Sequence, residues 1–217
     1  MNLMEKILDV TRMNLIYKIS LSFLFVIASN LFPINEESYT FKYKESEFKV
    51  NLTNLNDEWN ITYEISHPFF KLSQDTQFSY TNLIQISEIK RNLIVMGGLR
   101  KIEESYKIDH SRKKIKYIKG QLTETLQYDG AIYDDLTAHL YLRLLNIQTD
   151  EEITLNVLER GKIIQKKFIK TITGPDTIKI KEKKEKDKFE LFFKDNSKEI
   201  LKVIQNVNGR EFVWENL

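Results

Sequence analysis

Through most of this chain apolar side chains recur at every second position, and that period confines the fold to sheets. Successive side chains of a strand point to opposite faces, so a two-residue period turns one face to a core and the other to water. In "SYTFKYKESEFKV" Tyr39, Phe41 and Tyr43 share a phase, and Phe48 and Val50 return after a turn near Glu45-Ser46. "EWNITYEIS" repeats the pattern with Trp59, Ile61, Tyr63 and Ile65; "FSYTNLIQISEI" and "NLIVMGG" continue it to Gly97-Gly98. A hairpin is predicted around Asp109-His110-Ser111, with Ile115 and Tyr117 returning. In "EITLNVLERGKIIQKKFIKTI" Ile153, Leu155 and Val157 alternate, Arg160-Gly161 turns, and Ile164, Phe168 and Ile172 resume. Three strands fill the C-terminal region, separated by "DNSK" and by Asn208-Gly209, a type I′ signal. With 7 Gly and 3 Pro in the chain, turns must rest largely on Asn, Asp and Ser. About ten short strands at this spacing predict a mainly β fold, an antiparallel meander forming a curved sheet or partly open β-barrel.

One segment breaks the rhythm. In "DDLTAHLYLRLL", Leu136, Leu140 and Leu144 are four apart, as are Tyr141 and Leu145, and Asp134 or Asp135 can cap the first turn. Leu142 widens the apolar arc and leaves Thr137, His139 and Arg143 as its polar positions, so this helix must be buried on most sides. The place a curved sheet offers is its concave face, where the helix acts as a plug.

The totals narrow the function classes. The 33 basic and 31 acidic residues balance to +2, which argues against a nucleic-acid binder. "KEKKEKDK", Lys181 to Lys188, mixes signs and reads as a solvated hairpin connection. Cysteine is absent, which removes disulfides, thiolate metal sites and cysteine nucleophiles together. A bacterial periplasmic domain does without them more readily than a secreted eukaryotic one, and the sequons at Asn51 and Asn60 then carry no meaning.

The first residues read as an address. Lys18, the apolar run Leu21 to Ala28 and the small residue Ala28 fit a signal peptide over residues 1–28, with Met13 an alternative start. The run is shorter than the ~20 residues a spanning helix needs. The expectation is therefore a periplasmic protein of a Gram-negative bacterium. It has no permanent membrane span after cleavage, and residues 29–217 form a single β-rich domain.

The order of these pieces resembles the bacterial domain-of-unknown-function 3108 family. Its characteristic series of Asp, Leu, Ser or Thr, Ala, Tyr and Arg is matched by Asp135, Leu136, Thr137, Ala138, Tyr141 and Arg143. The similarity spans roughly residues 38–217; "FFKDNSKEILKVI" lacks the Trp and Pro that family members carry before their final strands. The resemblance implies an exported β-rich protein and brings no established activity with it.

Catalytic and metal motifs are missing. His67, His110 and His139 have no ligand spacing, and no nucleophile elbow, phosphate loop or dinucleotide fingerprint occurs. No metal and no cofactor is expected. His67 and His110 read as solvent-exposed, His139 as a helix-surface hydrogen-bonder flanked by Asp135 and Arg143. Arg143 reads first as a buried structural anchor and second as an anion-recognition residue, because a buried guanidinium needs partners. The candidate ligand-binding residues are thus Arg143, His139 and Asp135. The leading function is a non-catalytic binding or envelope-maintenance protein for a lipid or other amphiphile, with "HPFFKL" (Phe69, Phe70) suited to a mouth or lid. The alternatives are a hydrolase-like enzyme centred on the 134–145 helix, and an interaction module using a sheet edge.

Overall fold

The computed structural model describes residues 36–216 except 44–45, 82, 96–97, 146–149, 184–188 and 208–209. The expected signal peptide and the Asn208-Gly209 turn lie outside the described residues, as does most of the Lys181–Lys188 run.

The strands are β1 (Glu37–Tyr43), β2 (Ser46–Leu55), β3 (Glu58–His67), β4 (Phe70–Tyr80), β5 (Ile84–Val95), β6 (Arg100–Asp109), β7 (Lys114–Lys119) and β8 (Leu122–Gln127). They continue with β9 (Ile132–Tyr133), β10 (Glu152–Glu159), β11 (Lys162–Gly174), β12 (Thr177–Glu182), β13 (Phe189–Lys194), β14 (Ile200–Val207) and β15 (Arg210–Asn216). Helix α1 (Asp135–Leu144) sits between β9 and β10, where the 3.6-residue pattern placed it.

Among the described residues there are fifteen strands rather than the expected ten or so. The segments "ISEI" and "NLIV" are one strand, β5, because a bulge opposite Gln77/Phe78 absorbs the change of phase between Ile86 and Ile89. The turn before β5 falls inside "FSYTNLIQISEI", which alternation alone had read as continuous. Turn chemistry follows the expectation: Asn56 and Asp57, both at positive φ, join β2 to β3, and Arg160-Gly161, both at positive φ, join β10 to β11.

All fifteen strands form one sheet in the order β8-β7-β6-β5-β4-β3-β2-β1-β15-β14-β13-β12-β11-β10-β9. Two wings, β1–β8 and β15–β9, are joined where β1 pairs antiparallel with β15, Phe41 opposite Asn216 and Lys42 opposite Glu215. Laid flat, fourteen gaps of about 4.8 Å would hold the two edges roughly 67 Å apart. Yet β8 ends at Gln127 and β9 starts at Ile132, and five residue steps reach at most about 18 Å. The sheet must therefore curl. It stops short of closing, for β9 pairs with β10 and lies against β5 rather than bonding to β8. The Arg160-Gly161 turn tucks under the other wing: the Gly161 N–H donates to the Tyr106 hydroxyl at 2.9 Å, and a Cβ there would meet the Tyr117 ring at 2.6 Å.

The core lies on the concave side and takes residues from both wings and α1, with Phe41, Phe78, Tyr106, Phe168 and Phe193 among the fully buried side chains. Eight of the ten residues of α1 are buried. The plug on the concave face of a curved, partly open barrel is the observed architecture.

Candidate functional site

Helix α1 begins with a capping box. The Asp134 carboxylate accepts from the Thr137 N–H at 2.8 Å, and the Asp134 N–H donates back to the Thr137 hydroxyl at 3.0 Å, which satisfies two otherwise orphaned donors. The other Asp134 oxygen accepts from Gln74 at 2.6 Å and from the Thr76 hydroxyl. Arg91 continues this buried network. Its Nε donates to Gln74 at 2.5 Å, its Nη2 reaches Asp135 and the Leu158 carbonyl at 3.4 Å each, and its guanidinium lies 5.6 Å from the centre of the Tyr106 ring. The helix start is thereby fixed to β4 and β5.

The other end is fixed elsewhere. Arg143 is buried, and its Nη1 donates to Glu37 at 2.9 Å and to the Lys198 carbonyl at 2.8 Å, tying the last turn to β1 and to the turn between β13 and β14. Its Nε is buried with no hydrogen-bond partner among the described residues.

Between the helix and the β1/β15 seam lies a cavity of about 70 Å³, with fifteen lining residues. Phe41, Tyr63, Leu140, Phe189, Leu191 and Trp214 set its apolar character, and His139 and Arg143 are its two basic side chains. The Phe189 ring stands edge-on to His139 at 4.5 Å. His139 is half-buried and lines the cavity. Burial, reinforced by the Arg143 and Lys166 cations, pushes its pKa down to about 3, so the ring is neutral at physiological pH. Burial also raises the Tyr63 phenol well above its usual range, which keeps that wall uncharged.

The three candidate residues part company here. His139 and Arg143 line the cavity; Asp135, eight residues before Arg143 and so about 12 Å from it along the helix axis, pairs with Arg91 instead. Phe69 is exposed at the β3–β4 turn and Phe70 is buried beside it; neither lines the cavity. His67 is half-buried, stacked on Phe70 at 5.0 Å and accepting from the Phe69 N–H. The exposed His110 still has both nitrogens engaged: Nε2 donates to the Ile86 carbonyl at 2.7 Å, so Nδ1 accepts from the Tyr128 hydroxyl at 2.9 Å.

Further polar residues escaped the sequence reading. Gln74 and Thr76 sit in phase with Phe70, Leu72 and Phe78; Arg91 sits in phase with Ile89 and Leu93; Lys166 and Lys170 flank Phe168. A polar residue on an apolar phase was the available signal. Lys170 donates to the Leu145 carbonyl at 2.7 Å, and its pKa is lowered by burial and then by Lys198. Glu182 is buried 3.9 Å from Lys166, so this part of the lysine-rich run is not solvated.

Among the described residues no three His, Asp or Glu side chains converge on a metal-sized site, and no helix is long and apolar enough to cross a membrane. No family model matches the chain, and no curated protein does. Among solved structures, a DUF1089 family protein from Pseudomonas aeruginosa matches at 12% identity with a TM-score of 0.42, over 83% of this chain and 95% of that one. A β-barrel-like protein of the domain of unknown function DUF1849 from Brucella abortus matches at 8% identity with a TM-score of 0.52, over 83% of this chain and 93% of that one. The chain is thus similar in fold to a β-barrel-like domain of unknown function.

Proposed function

We propose that this is an exported, periplasmic bacterial protein that binds an amphiphile without transforming it, in the cavity beneath α1. The carrying observation is the cavity's composition, an apolar wall of aromatic and aliphatic side chains with basic groups only at His139 and Arg143. Such a wall favours an aliphatic chain, and the Arg143 guanidinium in its lining favours an anionic or strongly accepting head. The volume limits what enters. About 70 Å³ is half of the roughly 150 Å³ that holds a benzene in an apolar protein cavity. The site therefore accommodates the end of one chain, and the remainder extends through the opening. Binding is favoured over hydrolysis because the lining holds no carboxylate and no aliphatic hydroxyl to act as base or nucleophile, and Asp135 is occupied by Arg91. Membership of the domain-of-unknown-function 3108 family belongs to the same proposal. It is supported by the tasks of the matched residues in α1: Thr137 caps, Ala138 is fully buried, Tyr141 packs tilted against the Tyr133 ring at 4.8 Å and Arg143 anchors.

Trp214 in the cavity wall supplies the test. In a Trp59→Phe background the remaining tryptophan reports on the cavity, and a bromine-labelled single-chain carboxylate should quench it saturably, with an unlabelled chain competing. Native mass spectrometry of protein from its own envelope should show a co-purified amphiphile. Absence of quenching together with a bare mass overturns the reading, and N-terminal sequencing that finds Met1 or Met13 on the envelope-fraction protein overturns the export part.

A further inference from the structure

The two edges of the sheet are protected very differently. At one end β9 has only two residues, and beside it the Asn156 side-chain amide donates to the carbonyls of Asp129 and Ala131 at 3.3 Å each. At the other end β8 has six residues, pairs with β7 and with no other described strand, and exposes Leu122, Thr123, Glu124, Thr125 and Gln127. Edge strands are normally blunted by charged side chains, above all lysine, and by proline, bulges or brevity; β8 carries one such charge, Glu124. "LTETLQ" has no lysine or proline, its ladder with β7 is unbroken from Lys119↔Leu122 to Lys114↔Gln127, and its two threonines favour extended backbone.

The hydrogen-bond parity of this edge is fixed. The Tyr128 N–H donates to the Lys113 carbonyl at 3.2 Å. Bonded pairs alternate along an antiparallel ladder, so Leu122, Glu124 and Leu126 bond to β7, and Thr123, Thr125 and Gln127 turn their backbone groups outward.

We infer that β8 is a homodimerisation edge, pairing antiparallel with β8 of a second copy about a two-fold axis at Thr125. That register sets Thr125 opposite Thr125 and Thr123 opposite Gln127, with the outward N–H and C=O groups bonded to one another. It sets Glu124 opposite Leu126, and Leu122, 47% exposed in the single chain, opposite the partly buried Tyr128. The neighbouring register, with its axis at Glu124, opposes two Glu124 carboxylates directly and is disfavoured. Self-pairing is thus compatible with the charges, bonds the exposed edge and covers the exposed leucine. Six residues a side is far fewer than the 20–30 of a standard interface, so the dimer is concentration-dependent.

Sedimentation velocity over a micromolar-to-millimolar series should show the weight-average mass doubling. Thr125→Lys, which opposes two lysines at the axis, and Thr125→Pro, which removes an N–H that bonds nothing within the chain, should both stay monomeric with unchanged far-UV circular dichroism. The cysteine-free background adds a direct probe. Paired Cα atoms at about 5.5 Å fall within the 4.4–6.8 Å a disulfide spans. Thr125→Cys should therefore cross-link to a dimer under mild oxidation. Thr123→Cys, whose copies stand four residues apart, about 14 Å, should cross-link at least tenfold more slowly. A monomer at every concentration overturns the inference, and so does a dimer that survives Thr125→Lys or cross-links equally at both cysteines.

Discussion

His139 carries no charge in the folded protein under neutral conditions, and that has a thermodynamic cost at low pH. Its folded pKa of about 3 lies below the roughly 6.5 of an unfolded histidine. Below pH 6.5 the unfolded chain takes up a proton that the folded chain refuses, so stability is full above pH 6.5 and falls as the pH drops toward 3. The limiting slope for one such group is about 1.4 kcal/mol per pH unit. Urea unfolding across this window should show the slope in the wild type, and His139→Gln should flatten it; an unchanged slope would place the ring in water. Arg143 predicts the opposite kind of defect. Arg143→Met leaves Glu37, 19% exposed at its side chain, without its cation, and should cost about 3 kcal/mol, the low end of the 3–5 expected for breaking a buried pair. Chemical denaturation reads this directly, and because Arg143 also lines the cavity, loss of amphiphile quenching should accompany the loss of stability. That Arg143 needed partners was legible from its place on a nearly all-apolar helix. Which partners was not, because Glu37 and the Lys198 carbonyl lie 106 residues before it and 55 after it.

At the scale of the element, α1 is a strut between two wings of one sheet. Its middle contributes packing: Leu140 is almost fully buried, and Leu140→Ala should cost about 2–5 kcal/mol, measured by thermal or chemical unfolding. Its start contributes polar closure. Asp134→Ala removes the cap, worth about 1 kcal/mol, and also strands the Gln74 and Thr76 donors in a site with no exposure. Each buried donor left unsatisfied adds about 1–3 kcal/mol, so this substitution should exceed an ordinary cap loss at least twofold. The helix and the hairpins were readable because a 3.6-residue or two-residue period is local. The strand count was not, since the bulge in β5 and the two-residue β9 leave no periodic trace long enough to register. Asp134 likewise announces a cap, but its bonds to β4 depend on strands 58 and 60 residues away.

For the whole molecule, the curl follows from the short hop between β8 and β9, and the cavity follows from the curl, because a sheet that wraps without closing leaves space that one helix only partly fills. The sequence supported a curved or partly open barrel but not the pairing of its first strand with its last. Alternation says that β1 and β15 are strands and nothing about their being neighbours. That pairing, Phe41 against Asn216, spans nearly the whole described chain and must await both wings, which places folding in the slow range typical of non-local β proteins.

The same pairing makes the strand order cyclic. Read from β9, the sheet runs β9 to β15, then β1 to β8, each strand beside its predecessor. A circular permutant opened at Asp129-Gly130, with residue 216 joined to residue 36 by a short flexible linker, would encode the same sheet with β10 to β15 and β1 to β8 as one antiparallel meander, preceded by the parallel β9 and its helical crossover. Its longest loop closure becomes a turn, and closure entropy grows with loop length. Stopped-flow refolding of this permutant should be faster than that of the natural order. The equilibrium stability should change little, since every strand keeps the neighbours it has.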